Sequence, residues 1–105
     1  MTRDYLAVFE KVAEDNWGAF APDIPGTGGL GDSFDEARRS LIEGIGYILE
    51  DKAERSVPFP EAKCTAVDFA EFDPEHTDLQ YVVEWITVEL PHADSHLHET
   101  TQQAA

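Results

Sequence analysis

Two groups of residues have the types and spacing for chemistry. In the C-terminal segment, His92, His96 and His98 stand beside Asp94 and Glu99. His92 and His96 would share one face of a helix, a spacing with which paired histidines hold zinc. No apolar periodicity supports a helix there and Cys64 is remote, so the segment reads as an adventitious metal ligand rather than a built centre. The second group is acidic: Asp23, Asp32 and Glu36 lie in and around a glycine-rich loop. Carboxylates that converge can hold Mg²⁺ for phosphodiester cleavage, but such sites also need basic surface to steer the nucleic acid. Among 22 acidic residues in 105 some cluster is inevitable, and Asp23 is better suited to closing a turn, Glu36 to capping a helix. Nothing surrounds Cys64, Ser33 or Ser40 with the base and orienting acid of a nucleophilic site. The loop GTGGLGD lacks the lysine and serine of a phosphate-binding loop, and Asp32, Asp35 and Glu36 would repel an anion. The expectation is a protein without catalytic residues, metal or cofactor.

Charge narrows the partners. Seven Lys and Arg against 22 Asp and Glu give a net charge of -15, which disfavours a polyanion and points to a basic partner, although acidity also serves solubility alone. A hydrophobic share of 42% is that of a folded chain, and the length suits one domain. The single Cys64 makes no intrachain disulfide, and MTRDYLAVFE carries no export signal. No uninterrupted apolar run reaches the roughly 18 residues of a membrane span. A soluble, cytoplasmic protein that does not enter membranes is expected.

The elements that must position these residues follow from periodicity. Residues 4–13, DYLAVFEKVA, read as a first strand, with Leu6, Val8 and Val12 on one face. Asp15, Asn16 and Gly18 turn the chain into a short second strand in WGAFAPD, which Pro22 ends or places at an edge. In PDIPGTGGLGDSFDEA, residues 22–37, two prolines and four glycines approach a helix; the glycines suit a tight turn or short irregular strand where backbone meets backbone. Ser33 and Glu36 have the spacing of a capping box, and Asp35 and Glu36 suit the positive end of the helix dipole. Phe34, Ala37, Leu41, Ile45, Ile48 and Leu49 trace an apolar helical face reaching to about Glu54. Gly44 and Gly46, costly inside a helix, suggest close approach to the sheet. VPFP at 57–60 stops the helix. Residues 61–78 read as a connection, and LQYVVEWITVEL, 79–90, as a strand apolar on both faces, hence central in the sheet or part of a subunit interface. The segment after Pro91 has no packing pattern, which divides the chain into a domain over 1–90 and a flexible tail over 91–105.

In this order the chain resembles the HicB family, the antitoxin half of HicAB toxin–antitoxin systems. The resemblance is carried by Pro22-Asp23-Ile24-Pro25-Gly26, by Gly31-Asp32-Ser33 with Glu36-Ala37, and by Val57-Pro58-Phe59-Pro60. It implies an α+β fold of β-β-β-α-β order, partial RNase H-like, in which a three-stranded antiparallel sheet carries one main helix and a further strand. Many HicB proteins add a helix-turn-helix or ribbon-helix-helix for operator binding. Here residues 61–105 show no pair of amphipathic helices, so no clear C-terminal DNA-binding domain is expected, although ITVELP resembles the start of a ribbon strand. At Thr27 a cysteine is frequent in the family.

The resemblance also implies a partner: a small basic HicA-type mRNA-cleaving toxin, neutralised when the antitoxin covers its RNA-binding and active face. The partner-binding candidates are Trp17, Phe20, Asp23 and Asp32. The alternative is an orphan HicB-like module without a toxin, serving as an oligomeric scaffold or regulatory subunit. Both readings expect a homo-oligomer, because the strand over 79–90 can pair with its copy.

Overall fold

The computed structural model describes residues 1–66 and 80–91. The histidine group and the tail expected from residue 92 onward, and most of the connection over 61–78, lie outside the described residues. Among the described residues four strands and one helix follow in the order β1 (Thr2–Ala13), β2 (Asn16–Phe20), β3 (Gly29–Gly31), α1 (Phe34–Glu54) and β4 (Gln80–Glu89). The sheet is antiparallel throughout, with strand order β3-β2-β1-β4. The last strand thus joins the sheet as its fourth member.

The central strand is β1. Tyr5, Leu6, Ala7, Val8 and Phe9 are all buried, so both of its faces are apolar, as a strand flanked on each side requires. Along β4 burial alternates, with Ile86 and Val88 inside and Val83, Trp85 and Thr87 exposed. Of the two expected positions, the central one is therefore corrected: among the described residues β4 lies at the sheet edge. Its apolar residues on two faces do not require two flanking strands, because α1 covers only one of those faces. ITVEL, expected to resemble a ribbon strand, is paired within this sheet, Ile86 opposite Tyr5 and Val88 opposite Arg3.

Helix α1 starts at Ser33, whose hydroxyl accepts from the Glu36 N–H at 3.2 Å while Glu36 Oε1 accepts from the Asp32 N–H at 3.0 Å. This is the expected capping box, with the return bond made one residue upstream. Ala37, Leu41, Ile45, Leu49 and Ala53 recur at every fourth position and are buried, the first four in one cluster with Tyr5, Ala7, Phe9, Ala19, Ile86 and Val88. Full burial of each large aliphatic side chain contributes about 1.5–3 kcal/mol, so this stripe dominates the docking. Phe34 adds ring contacts to Phe9 at 4.5 Å and to Trp17 at 5.5 Å.

The helix can lie close because β3 is glycine where it faces α1. A Cβ on Gly29 would stand 2.6 Å from the Ala37 carbonyl oxygen, and one on Gly31 would stand 2.5 Å from the Ala37 nitrogen. Glycines in the helix do not supply this intimacy. Gly44 is in ordinary contact range of Gly28 and Thr27, and a Cβ on Gly46 would meet nothing within 4 Å, which corrects the reading of Gly46 as a site of close approach. The helix ends in a Schellman turn: Ser56, at φ 57°, donates to the Ala53 carbonyl, and Val57 donates to that of Lys52. VPFP then runs back along the helix side of the sheet, where Arg3 and the Tyr5 hydroxyl both donate to the Pro60 carbonyl, at 2.8 and 2.6 Å.

Candidate partner-binding face

Side chains alternate along a strand, so the register separates the two faces of the sheet. Arg3, Tyr5, Ala7, Phe9 and Lys11 of β1 share the helix face with Trp17, Ala19, Val82, Glu84, Ile86 and Val88. Leu6 and Val8 point the other way. Leu6 lies opposite Trp85, and Val8 lies between Val83 and Phe20. These five residues form an apolar stripe across three strands. Its floor, Leu6 and Val8, is buried, whereas Val83 is 37% and Trp85 49% exposed. Leu30 of β3 continues the stripe beyond Gly18 and is largely exposed. No helix or strand among the described residues covers this face.

The charges around it are of one sign. Asp4, Glu10 and Glu89 project on the same side as the stripe, and Asp4 accepts a hydrogen bond from the Thr87 hydroxyl at 2.6 Å. The chain has seven lysines and arginines, and none is on this face. Arg3 and Lys11 belong to the helix side; Arg38, Arg39 and Lys52 are on α1, Arg55 is its C-cap and Lys63 follows it. Among the described residues, only the N-terminal amine, 3.8 Å from Glu89, brings positive charge nearby. Glu84, at the strand edge on the helix side, already faces Arg38 at 3.8 Å. An apolar stripe rimmed by carboxylates is complementary to a basic surface with an apolar centre. It is a poor match for its own copy face to face, since like charges would meet.

The four residues expected to bind a partner do not converge. Phe20 is on the stripe. Trp17 is on the helix face, edge-on to Phe34. The Asp23 carboxylate, through Oδ2, accepts from the Lys63 and Cys64 amides, both at 2.8 Å, and so clips the chain after the helix to the loop after β2. Asp32 is at the helix start with an exposed side chain. Asp23 and Glu36 each thus commit one carboxylate oxygen to backbone amides, and among the described residues no three His, Cys, Asp or Glu side chains form a metal-holding group. Sequence reasoning missed Leu6, Val8, Val83 and Trp85 as one surface. The two-sided apolar pattern of β4 was its signal; which face the helix would take was not visible.

Comparison with known proteins decides the family. Residues 5–102 match the family model of the HicB-like antitoxin of bacterial toxin–antitoxin systems. The chain belongs to the HicB-like antitoxin family. A relative in Synechocystis, the UPF0150 protein ssl0738, is 37% identical over 54 residues, which span 51% of this chain and 75% of the relative. The N-terminal domain of the Burkholderia pseudomallei antitoxin HicB superposes with a TM-score of 0.64 at 25% identity, covering 84% of this chain and all of that one. A toxin–antitoxin complex from Streptococcus pneumoniae has the same fold in the matching chain, with a TM-score of 0.68 at 18% identity over 85% of this chain and 70% of that one.

In this HicB-like chain the recurring motif residues have structural duties. Gly26, at φ 84°, adopts the left-handed backbone that reverses the loop; Gly31 admits the helix, Ser33 caps it, and Pro60 receives the bonds from Arg3 and Tyr5. The motif thus builds the helix side of the domain and leaves the acid-rimmed stripe on the other. Among the described residues, no helix is long and apolar enough to cross a membrane.

Proposed function

We propose that this antitoxin binds a small basic mRNA-cleaving toxin of the HicA type in the cytoplasm, and neutralises it by covering its RNA-binding and active face with the stripe Leu6–Val8–Phe20–Val83–Trp85. The observation that carries the reading is the partition of charge: apolar residues and carboxylates occupy one face, and every lysine and arginine is elsewhere. A toxin surface evolved to hold RNA is basic, and the acidic rim competes for it. Inhibition is steric and electrostatic and needs no reaction on this chain. Charge accelerates encounter, and the half-exposed Trp85 supplies the anchor.

The test is the affinity and inhibition of a HicA-type toxin encoded beside this chain. Trp85→Ala is expected to weaken binding by about 30-fold or more, the loss of a hot spot worth about 2 kcal/mol. Asp4→Lys combined with Glu10→Lys is expected to slow association and flatten its salt dependence. Tyr47→Ala, at an exposed residue of α1, serves as the control and should leave both unchanged. Unchanged affinity for Trp85→Ala alongside a loss for Tyr47→Ala would move the site to the helix. The second reading, an oligomeric scaffold or regulatory subunit without a toxin, draws on the place of β4 at the sheet edge among the described residues; recovery from native cells of the chain with only its own copies would favour it.

A further inference from the structure

One row of residues crosses the whole sheet on the face away from α1: Tyr81 of β4, Glu10 of β1, Gly18 of β2 and Leu30 of β3 lie side by side in register. Gly18 brings no side chain to it. The side chains of Glu10 and Leu30 therefore rise two strand spacings apart, roughly 9–10 Å, with bare backbone between them. This notch belongs to an open groove of about 410 Å³ that Glu10, Gly18, Phe20 and Leu30 line on the sheet and Gly28 and Ser40 line near β3. Leu30, 74% exposed, stands as its wall on that side.

The partly buried Glu10 leans over this gap, its Cγ and Oε1 lying 3.7 Å from the position that a Gly18 Cβ would take. Among the described residues its carboxylate has no hydrogen bond or ion pair. Asp4 on the same face is bonded to Thr87, and Glu84 on the other face has Arg38 beside it. Every lysine and arginine of the chain lies away from this face, so a side chain that neutralises Glu10 comes from another molecule. We propose that the notch over Gly18 is a socket for one arginine side chain of the basic partner, the guanidinium on the Glu10 carboxylate and the aliphatic stem against Phe20 and Leu30. A guanidinium suits the place better than an ammonium, because it is planar and weakly hydrated and takes both carboxylate oxygens while lying against apolar walls. The inference rests on the proposed function for its partner and adds which cation that partner inserts and where.

The socket sets Glu10 apart from the rest of the acidic rim. Exposed rim charges act on encounter, whereas a carboxylate that holds one arginine out of water acts on dissociation. It also gives glycine at position 18 a reason. The backbone there is outside the left-handed region, and an added Cβ would be in ordinary contact with Glu10, so the strand admits a side chain and would gain from a β-branched one. Such a side chain would fill the notch.

Two probes test the socket. The first is N-acetylarginine methylamide, titrated into the isotope-labelled chain and followed by NMR beside its lysine and citrulline counterparts. The arginine compound should give saturable shifts centred on the amides of Gly18, Phe20 and Leu30, and citrulline, of the same shape without the charge, should give none. Glu10→Gln should abolish the shifts, and so should Gly18→Val, which should melt no lower than the unsubstituted chain. The second probe is the HicA-type toxin. Glu10→Gln should raise its dissociation rate by about 10- to 100-fold, the loss of a hydrogen-bonded charge pair, whereas Asp4→Asn should alter association alone. In double-mutant cycles with Glu10→Gln, one arginine of the toxin should show a loss that does not add. Equal shifts with arginine and citrulline, saturation by lysine as tight as by arginine, or shifts that survive Gly18→Val would overturn the inference. So would a toxin that leaves Glu10→Gln no faster than Asp4→Asn. Saturable arginine binding at Gly18 by a chain that binds no toxin would uphold the socket and overturn the toxin reading, and a toxin bound with no arginine coupled to Glu10 would do the reverse.

Discussion

Alanine in place of Gly29 tests the contact on which the domain is built. The added Cβ would lie 2.6 Å from the Ala37 carbonyl oxygen and the Leu41 nitrogen, and 2.9 Å from the Leu41 Cα. Ordinary contacts of such an atom begin near 3.4 Å, so α1 must retreat by about 1 Å. The clashing atoms are helix backbone and cannot rotate aside, and the retreat loosens Leu41 and Ile45, both fully buried. The expected cost is about 2–3 kcal/mol, in the upper range of core overpacking, which lowers the melting temperature by roughly 10–15 °C for a domain of this size. The matched control is Gly46→Ala. Its Cβ meets nothing within 4 Å, and replacing glycine inside a helix is expected to add about 1 kcal/mol. Thermal and urea unfolding, followed by circular dichroism, measure both. Gly29→Ala melting with the unsubstituted chain, or Gly46→Ala melting below it, would refute the assignment of the close approach to β3.

Three smaller substitutions probe the features around the loop and the helix end. Asp23→Ala removes the acceptor shared by the Lys63 and Cys64 amides, and is expected to cost about 1–2 kcal/mol in urea unfolding because the exposed Lys63 amide turns to water; Asp23→Asn, presenting a neutral oxygen in the same place, should lose less. Ser56→Gly relieves a left-handed backbone at φ 57° and is expected to stabilise the chain by about 0.5–1 kcal/mol after the added freedom of the unfolded state is subtracted. The Thr27 Oγ1 atom is buried without a hydrogen-bond partner among the described residues. Thr27→Cys, which places a small hydrophobe there, is expected to raise stability by about 1 kcal/mol, read as a higher melting temperature.

Local signals in the chain identified most of the elements. The spacing of Ser33 and Glu36 located the helix start, and the stripe from Ala37 to Leu49 located its buried face, because capping and period are properties of neighbouring residues. The glycines before the helix announced a backbone approach but not which partner each would meet; Gly29 and Gly31 proved to face α1, and Gly46 nothing. Strand order is a long-range property, and for that reason β4, as apolar as a central strand, could be read as central or as part of a subunit interface. The candidate site suffered most. Trp17 and Phe20 are three residues apart in one hairpin strand and face opposite sides of the sheet, and Asp23 is held by amides 40 and 41 positions away. No local pattern contains those distances.

A sheet with an apolar central strand needs a layer on each face, and among the described elements there is one helix. The stability of the domain and its capacity for partners are therefore two consequences of one shortage. Motif residues spend themselves on the first layer: glycine in β3 admits α1, Ser33 starts it, and Pro60 returns the chain to β1. The second face keeps Leu6 and Val8 buried but leaves Val83 and Trp85 half in water, and with no lysine or arginine there it is complementary to a basic surface rather than to its own copy. The edge that β4 makes among the described residues is chemically distinct from that face. A toxin bound on the face should then raise the melting temperature in proportion to the logarithm of its concentration. Self-association, the second reading, would instead make the melting temperature depend on the concentration of the chain itself, so titrating each component separately distinguishes the two readings within one assay.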